Sequence, residues 1–278
     1  MMTFKQRLKA TPVRKLYFLP HRFKMASSYY ARQIGMVTQW LALSNECSNF
    51  TYDLTSLNSE YLASFLAVIT GAEVEQVKSY FSEIINDQQL KQHIRKITEE
   101  GDERYISDLE AKYGRRMGWY ALVRILKPKV VIETGIDKGL GACVIAAALM
   151  KNASESAPGK YYGTDILPQA GALFKSPYSE MGEILYGDSI ESLKKFSDPI
   201  DLFINDSDHS ADYEEREYEV IASKLSPRGV IVGDNAHVTD CLFKFAKKTG
   251  KNFLYFQEKP EAHWYPGAGL GVAFSKVK

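Results

Sequence analysis

The stretch VVIETGIDKGLG, residues 130–141, decides the fold of this 278-residue chain. It begins with three apolar residues, as a buried strand does, and its glycines permit a sharp turn. The residues from Ala142 to Met150 then form an apolar run of helical length. A strand, a glycine-rich turn and a helix in succession predict the first unit of an α/β sheet.

Further units of this kind follow along the chain. Strands that alternate with helices predict a doubly wound, mainly parallel sheet, here with seven strands. In such sheets ligands bind beyond the carboxyl ends of the strands, so the strand ends are where a site is expected. The other predicted strands are 161–165, 183–186, 201–205, 229–233, 253–256 and 271–275.

The first 112 residues have a different pattern. Residues 61–69 and 74–85 predict helices, the first of which ends at Gly71. Charged residues dominate from Lys91 to Arg104, which predicts a solvated helix face and a linker. We therefore expect an N-terminal helical region at 1–112, acting as a lid, in substrate recognition or in dimerisation, and an α/β domain at 113–278.

Composition and charge restrict the class of protein. Hydrophobic residues make up 45% of the chain and charged residues 25%, which is sufficient for a folded core. The net charge of +1 indicates no partner, but residues 1–45 contain eight Lys and Arg residues and no acid. Such a segment attracts phosphate groups or an anionic membrane surface. The basic residues are Lys5, Arg7, Lys9, Arg14, Lys15, Arg22, Lys24 and Arg32.

The cysteines and the hydropathy pattern bear on location. Three widely separated cysteines, with no secretion signal and no apolar run long enough to span a membrane, predict a cytoplasmic protein with reduced thiols. Contact with a membrane is expected only at its surface, through the basic N-terminal segment. We also expect the chain to form a homo-oligomer.

Three strand ends predict a site for an adenosine-containing ligand. Gly135 and Gly139 let the backbone approach a ligand, and the following helix presents free N–H groups to a carboxylate or phosphate. Asp165 ends the second strand and suits a ribose diol. Asp188 and Ser189 follow the third strand and suit an adenine amino group. The glycine spacing GxxxGxG differs from the GxGxxG of dinucleotide sites, which disfavours a nicotinamide-dependent oxidoreductase.

Two further strand ends carry acidic clusters. Asp206 follows the fourth strand, and Asp234 with Asn235 follows the fifth, so neighbouring strands would bring them together. Two carboxylates and an amide carbonyl suit Mg²⁺, Mn²⁺ or Ca²⁺, of which Mg²⁺ is expected here. A bound cation lowers the pKa of a coordinated hydroxyl, and His209 is placed to take the proton. As alternatives, Asp206 and Asp208 fit an N-cap and its solvated neighbour, Asp234 and Asn235 fit a turn, and His209 fits an orienting or solvent-facing role.

With these motifs in place, residues 113–278 resemble the metal-dependent O-methyltransferases of the catechol and caffeoyl-CoA type. They resemble more closely the bacterial branch that methylates sugar hydroxyls in macrolide and aminocoumarin pathways. The resemblance rests on the motifs ETG, GDS, DSDH and GDN, with Gly139 and Asp165. It implies methyl transfer from S-adenosylmethionine to a hydroxyl of a sugar or of another small-molecule or glycoconjugate acceptor.

The same resemblance implies roles for individual residues. His209 and Asp206 would be catalytic, with His209 as the general base. Asp206, Asp234 and Asn235 would hold the divalent cation, with Mg²⁺ as the expected ion. The implied contacts to S-adenosylmethionine are Glu133, Gly135, Gly139, Asp165, Asp188, Ser189 and Asp206.

Two rival hypotheses are disfavoured by the sequence. A non-catalytic scaffold that kept only the cofactor fold has no reason to retain both acidic clusters. A nucleic-acid methyltransferase is disfavoured because residues 113–278 have no strong basic stripe and no NPPY-like base-flipping signature. We therefore expect a small-molecule or glycoconjugate substrate and no nucleic-acid partner.

Overall fold

The computed structural model describes residues 14–275, and its contacts divide the chain into two compact units. The first unit comprises the residues up to Asn45 together with Ala262–Tyr265. The second comprises Glu46–Glu261 and the residues from Pro266 onward. The chain therefore divides near residue 45, and not at the expected boundary of residue 112.

The first unit is built on one long helix. Its helical elements are α1 (Arg14–Tyr17) and α2 (Leu19–Leu43). Pro20 lies in the first turn of α2, where its missing N–H costs no hydrogen bond. Neither helix contains a buried residue. Three of the predicted basic residues, Lys5, Arg7 and Lys9, lie outside the described residues.

The second unit combines helices with one sheet. Its strands are β1 (Val130–Thr134), β2 (Lys160–Asp165), β3 (Gly182–Tyr186), β4 (Ile200–Asn205), β5 (Leu225–Gly233), β6 (Asn252–Gln257) and β7 (Gly269–Phe274). Its α-helices are α3 (Ser56–Thr70), α4 (Val74–Ile85), α5 (Gln88–Glu100), α6 (Arg116–Leu126), α7 (Leu140–Ser154), α8 (Ser189–Lys195), α9 (Ala211–Ala222) and α10 (Cys241–Lys248). Short 3₁₀ turns cover Arg104–Ile106 and Tyr178–Met181.

The strands form a sheet in the order β3-β2-β1-β4-β5-β7-β6. Strands β1 to β5 are parallel, and β7 runs antiparallel between β5 and β6. The predicted doubly wound, mainly parallel sheet of seven strands, with an N-terminal helical region, is therefore confirmed. All five residues of the central strand β1 are buried. Val130 and Ile132 face α9 and α10, whereas Glu133 lies against Gly141 of α7.

The helices predicted in the N-terminal region are also present. They are α3 and α4, and Gly71 ends α3 with φ +74°, a left-handed conformation that glycine adopts without strain. The helix face predicted within 91–104 is present as α5, which covers most of that range, and no boundary between the two units falls there. Leu90 and Ile94 are buried, and they fix α5 in the core.

Packing explains why the division at residue 112 is not observed. Helices α3 and α4 contact α6, which precedes β1, and α5 contacts α7. The side chains of Leu62, Val77 and Ile84 have no exposed surface. Since α6 and α7 cover the apolar faces of these helices, residues 56–100 form one unit with the sheet. The role of residues 1–112 as a lid, recognition element or dimer surface stays a prediction.

Within residues 14–275, none of the helices is both long and apolar enough to cross a membrane.

Candidate functional site

The turn after β1 passes against the end of β4. Gly135 has φ +78°, and an ideal Cβ at this position would overlap the backbone carbonyl of Asp206. Any larger residue would therefore meet both a strained left-handed conformation and a rigid neighbour. Gly139, with φ +91°, then leads into α7. The glycines hold the turn close to the acidic strand end, and their contact with a cofactor stays a prediction.

Glu133 lies beneath this turn. Its carboxyl is buried and accepts a hydrogen bond from the Tyr161 hydroxyl at 2.5 Å. Burial raises the pKa of Glu133 to about 7, although the hydrogen bond from Tyr161 opposes the rise. An ideal Cβ on Gly141 would overlap the Glu133 carboxyl, so the glycine leaves room for it. Glu133 thus supports the turn from the interior. Its contact with a cofactor stays a prediction.

Asp165 connects the ends of β1 and β2. One carboxylate oxygen accepts the backbone N–H of Asp137 at 3.1 Å, and the other accepts that of Leu167 at 2.9 Å. These two bonds fix the loop after β2 against the turn after β1. Because a carboxylate oxygen accepts more than one hydrogen bond, the predicted interaction with a ribose diol remains feasible.

Asp188 and Ser189 are both held by protein partners. Asp188 caps α8, accepting a backbone N–H of that helix at 2.9 Å, and also accepts the Tyr213 hydroxyl at 3.2 Å. Ser189 is buried, and its hydroxyl donates to Glu217. An ideal Cβ on the preceding Gly187 would meet nothing within 4 Å, so there is open space at this strand end. Recognition of an adenine by Asp188 and Ser189 stays a prediction.

Glu217 of α9 is a buried carboxyl that the sequence reasoning missed. Ser207 donates to it at 2.9 Å and Thr134 at 3.4 Å, and Asn205 and Ser189 also donate to it. Burial raises the pKa of Glu217 to about 7, and the hydrogen bonds from the three hydroxyls oppose the rise. The carboxyl therefore ties the ends of β1 and β4 to the start of α8.

Asp206 and Asp234 meet at the ends of β4 and β5. The backbone N–H of Asp206 donates to Thr134 at 2.9 Å, and that of Asp234 donates to Asn205 at 2.8 Å. Asp234 is fully buried, and the Asp206 side chain is 17% exposed. Burial and the adjacent Asp234 carboxylate raise the pKa of Asp206, while Arg115 opposes the rise. The structure thus brings together the two acids that the sequence placed at neighbouring strand ends.

Arg115, just before α6, supplies a positive charge to this corner and was also missed. Its Nη2 donates to Asp234 Oδ2 at 2.5 Å, and its Nε pairs with Oδ1. Its Nη1 donates to the Tyr52 hydroxyl at 2.5 Å and lies 3.7 Å from Glu258 Oε1. Tyr52 in turn donates to Glu258 at 2.7 Å. Burial lowers the pKa of Arg115, but Asp234, Tyr52 and Glu258 outweigh it, so the pKa is raised well above its usual range.

A signal for Arg115 is present in the sequence. Arg115 and Arg116 stand at the start of an apolar helix, where the helix dipole disfavours positive charge. An arginine in that position is expected to have an anionic partner. The identity of the partner could not be inferred, because Asp234 is 119 residues away in sequence.

His209 and Asn235 complete the corner. The Asn235 amide nitrogen lies 2.8 Å from His209 Nε2, which lies 3.7 Å from Asp206 Oδ1. His209 Nδ1 is buried 3.8 Å from Glu214 Oε1 and has no hydrogen-bond partner among the described residues. Asn235 has φ +51°, a conformation that asparagine tolerates, so it fits the turn alternative as well.

Neither Asp206 nor Asp208 caps α9, whose N-cap residue is Ser210. Asp208 is exposed, and its carboxylate accepts the backbone N–H of Ser210 at 2.8 Å, just before α9. Asp206 makes no such contact among the described residues and is directed toward Asp234. The local structural role therefore belongs to Asp208, which leaves Asp206 available for chemistry.

The donor set of the corner fits a divalent cation. Asp206, His209 and Asp234 each offer a ligand atom, and these atoms lie within 4.8 Å of one another. Within residues 14–275 they form the only such group of acids, histidines and cysteines. Carboxylate oxygens are the donors that Mg²⁺ and Mn²⁺ prefer. Arg115 engages Asp234 with two of its nitrogens, and Asp206 has no pairing of this kind among the described residues. The roles of these residues as ligands and base stay predictions.

Comparison with known proteins identifies the class of this fold. Residues 132–236 match the family model of a methyltransferase domain. A comparison with curated protein sequences gave no match. The matched segment contains the turn after β1, the ends of β2 and β3, and the acidic corner, so the family model covers the strand ends described above.

Solved structures agree with this match. A proposed O-methyltransferase from Klebsiella pneumoniae has a TM-score of 0.52 and 15% identity, over 72% of this chain and 96% of that one. The O-methyltransferase TomG from Streptomyces achromogenes, involved in tomaymycin synthesis and solved with SAM, has a TM-score of 0.50 and 16% identity, over 72% and 95%. A proposed caffeoyl-CoA O-methyltransferase from Staphylococcus aureus has a TM-score of 0.50 and 13% identity, over 70% and 99%. The chain therefore has the class I methyltransferase fold.

Proposed function

We propose that this protein is an S-adenosylmethionine-dependent O-methyltransferase whose acceptor hydroxyl is oriented by a divalent cation. The observation that carries the proposal is the meeting of Asp206, Asp234 and His209 at one edge of a methyltransferase sheet. The matched methyltransferase domain supports the cofactor. The resemblance to the sugar branch supports a sugar or another polyol as the acceptor, within a small molecule or glycoconjugate.

In this proposal S-adenosylmethionine supplies the methyl group, and the cation supplies a positive charge that favours the ionised form of the acceptor hydroxyl. Asp206, Asp234 and Asn235 would hold the cation. Asp165, Asp188 and the glycine turn would hold the adenosyl part. Most of the rate enhancement would come from alignment of the two reactants, because methyl transfer is an in-line displacement.

His209 Nε2 is the atom that would accept the acceptor's proton. In the proposed transfer the hydroxyl proton would pass to Nε2, and S-adenosylmethionine would supply the methyl group to the hydroxyl oxygen, with its sulfur as the leaving group. This requires a neutral imidazole with its proton on Nδ1, the nitrogen that lies toward the buried Glu214. Glu214 is held by the Thr239 hydroxyl, so it can orient the ring without moving.

The test uses the purified full chain, radiolabelled S-adenosylmethionine and a panel of glycosides, sugar nucleotides and catechols. We expect methyl transfer to a glycoside or sugar nucleotide, its loss in EDTA and its recovery with Mg²⁺ or Mn²⁺. Binding of Mn²⁺, measured by electron paramagnetic resonance, is expected to disappear in Asp206→Asn. Asp212→Asn is the matched control, because Asp212 is 88% exposed on α9.

The outcomes separate the parts of the proposal. Absence of S-adenosylmethionine binding, with NADH bound instead, would overturn the whole function. Full activity in EDTA together with no Mn²⁺ binding would remove the cation and leave Arg115 as the positive charge of the corner. Activity on catechols alone would remove the sugar acceptor.

A further inference from the structure

Helix α2 exposes a continuous apolar stripe. Seven residues recur at intervals of three and four positions, so they lie on one face of the helix. All seven are exposed, Phe23 by 72% and Leu41 by 66%. An apolar face of this length indicates a binding surface. The stripe consists of Leu19, Phe23, Ala26, Tyr30, Ile34, Val37 and Leu41.

The serine and threonine hydroxyls of α2 do not require water. Ser27 donates to the Phe23 carbonyl at 2.7 Å, Ser28 donates to that of Met25 at 2.8 Å, and Thr38 donates to that of Ile34 at 2.9 Å. Each of these three hydroxyls is therefore satisfied within the helix itself. The helix can exchange water for an apolar surrounding without leaving these groups unpaired.

The charged residues of the segment 14–45 are all positive, and they all lie in its first part. Residues 14–32 carry five Lys and Arg residues, residues 33–45 carry no charge, and no acid occurs in either part. Helices that pair with a second copy usually carry both signs beside the apolar seam, which sets their partner and orientation. A partner that balances the positive charges of this segment would therefore carry the negative charge itself. Exposed tyrosines, Tyr17, Tyr29 and Tyr30, suit a surface that is apolar on one side and wet on the other.

We propose that α2 binds to the surface of an anionic lipid bilayer. The helix would lie in the interface, with the apolar stripe in the acyl boundary and the cations of residues 14–32 beside lipid phosphates. With 25 residues, α2 is roughly 38 Å long. The inference uses only the first unit, and it does not depend on the proposed function.

The experiment is co-sedimentation of the full chain with vesicles. Phosphatidylcholine vesicles, with and without phosphatidylglycerol, are compared at low and high salt. We expect binding only when phosphatidylglycerol is present, and weaker binding at high salt because salt screens the charges. The double variant Arg22→Gln/Lys24→Gln is expected to lower the partition coefficient roughly 30-fold, since each cation near such a surface contributes about fivefold.

A second variant tests the stripe, and a third serves as control. Phe23→Ser/Leu41→Ser is expected to lower the partition coefficient roughly 100-fold, because two apolar side chains no longer enter the acyl boundary. Lys247→Gln/Lys248→Gln removes two exposed charges from the end of α10 and is expected to bind as the wild type does. Circular dichroism confirms that each variant is folded.

Three outcomes would overturn the proposal. The first is the absence of binding to either vesicle type, and the second is equal binding to both. The third is an oligomer, measured by analytical ultracentrifugation, that Phe23→Ser/Leu41→Ser dissociates while vesicles bind neither form. That last result would assign the stripe to a second copy of the chain.

Discussion

Asp234 and Glu217 are two buried carboxyl groups at the same edge of the sheet, and their surroundings differ. Asp234 is paired with the guanidinium of Arg115. Glu217 is surrounded by neutral donors, namely hydroxyls and the Asn205 amide. Neither side chain has exposed surface. Burial alone therefore does not determine what a carboxyl group does in this protein.

The difference separates a carboxyl group with a positively charged partner, Asp234, from one with neutral donors, Glu217. A fixed guanidinium beside Asp234 lets negative charge persist in the interior, which a site for a cation or a developing charge requires. Among residues 14–275 no cation pairs with Glu217, and its raised pKa favours the protonated form near neutral pH. The proposed function uses the first group, whereas the second connects strand ends.

The largest effect is expected when Asp234 loses the guanidinium of Arg115. Arg115→Met should lower the free energy of unfolding by roughly 3 to 5 kcal/mol, because Asp234 is left buried without a positive partner. Urea unfolding at neutral pH measures the change. Arg216→Met, at a half-exposed arginine of α9, is the control and should change stability by less than about 1 kcal/mol. A similar small change in both variants would mean that Asp234 does not depend on Arg115.

The second largest effect concerns the turn after β1, which contacts both Glu217 and Asp206. Thr134 contacts Glu217, and the following Gly135 contacts the Asp206 backbone. Gly135→Ala should destabilise the protein by roughly 3 to 4 kcal/mol, because left-handed strain adds to overlap with a backbone carbonyl. Gly250→Ala, at φ +70° with open space around it, should show only the strain, about 1 kcal/mol. Equal losses in thermal or urea unfolding would contradict the close approach of β1 and β4.

A pH series tests the neutral character of Glu217. Its pKa is 4.5 when unfolded and about 7 when folded, so the unfolded state releases the proton first as pH rises. The associated stability is complete below pH 4.5 and is lost as pH rises through 7, by up to about 3 kcal/mol. Glu217→Gln does not titrate, so the stability of the wild type relative to this variant should fall between pH 4.5 and 8. Glu219→Gln, exposed on the same helix, should show no such trend; a flat difference for Glu217→Gln would mean that its carboxyl is ionised throughout.

The smallest effect is expected at the surface counterpart of the Arg115 pair. Hydrogen bonds from Arg124 and Lys127 lower the pKa of Glu155 to about 2. The associated stability is therefore present above pH 4.5 and is lost as pH falls through 2. Because Glu155 is exposed and screened by solvent, Glu155→Gln should change urea unfolding at neutral pH only slightly. A loss as large as that of Arg115→Met would contradict the distinction between buried and exposed pairs.

The sheet was predictable because its strands carry the pattern in themselves. Apolar runs beginning at Val130, Tyr161 and Gly229 each end at a glycine or an acid, and all seven predicted strands are present. The acidic corner followed from one rule, that the carboxyl ends of neighbouring parallel strands share an edge. No knowledge of side-chain packing was needed for either inference.

The missed residues depend on contacts that are remote in sequence. Tyr52 and Arg115 are 63 residues apart, and Glu258 is 206 residues from Tyr52. Glu217 was missed for another reason, since the charged sequence of α9 looks solvated. Its spacing from Tyr218 and Ile221, both buried, places it on the inward face, and that signal was available.

The position of β7 in the sheet also affects how the chain folds during translation. It is the last of the described strands along the chain, yet it lies between β5 and β6, and β6 pairs with no other strand among the described residues. During translation β6 therefore leaves the ribosome without a hydrogen-bonding neighbour and must wait for the residues up to Phe274. A nascent chain stalled before Gly269 would expose two unpaired strand edges, which are templates for aggregation and binding sites for chaperones.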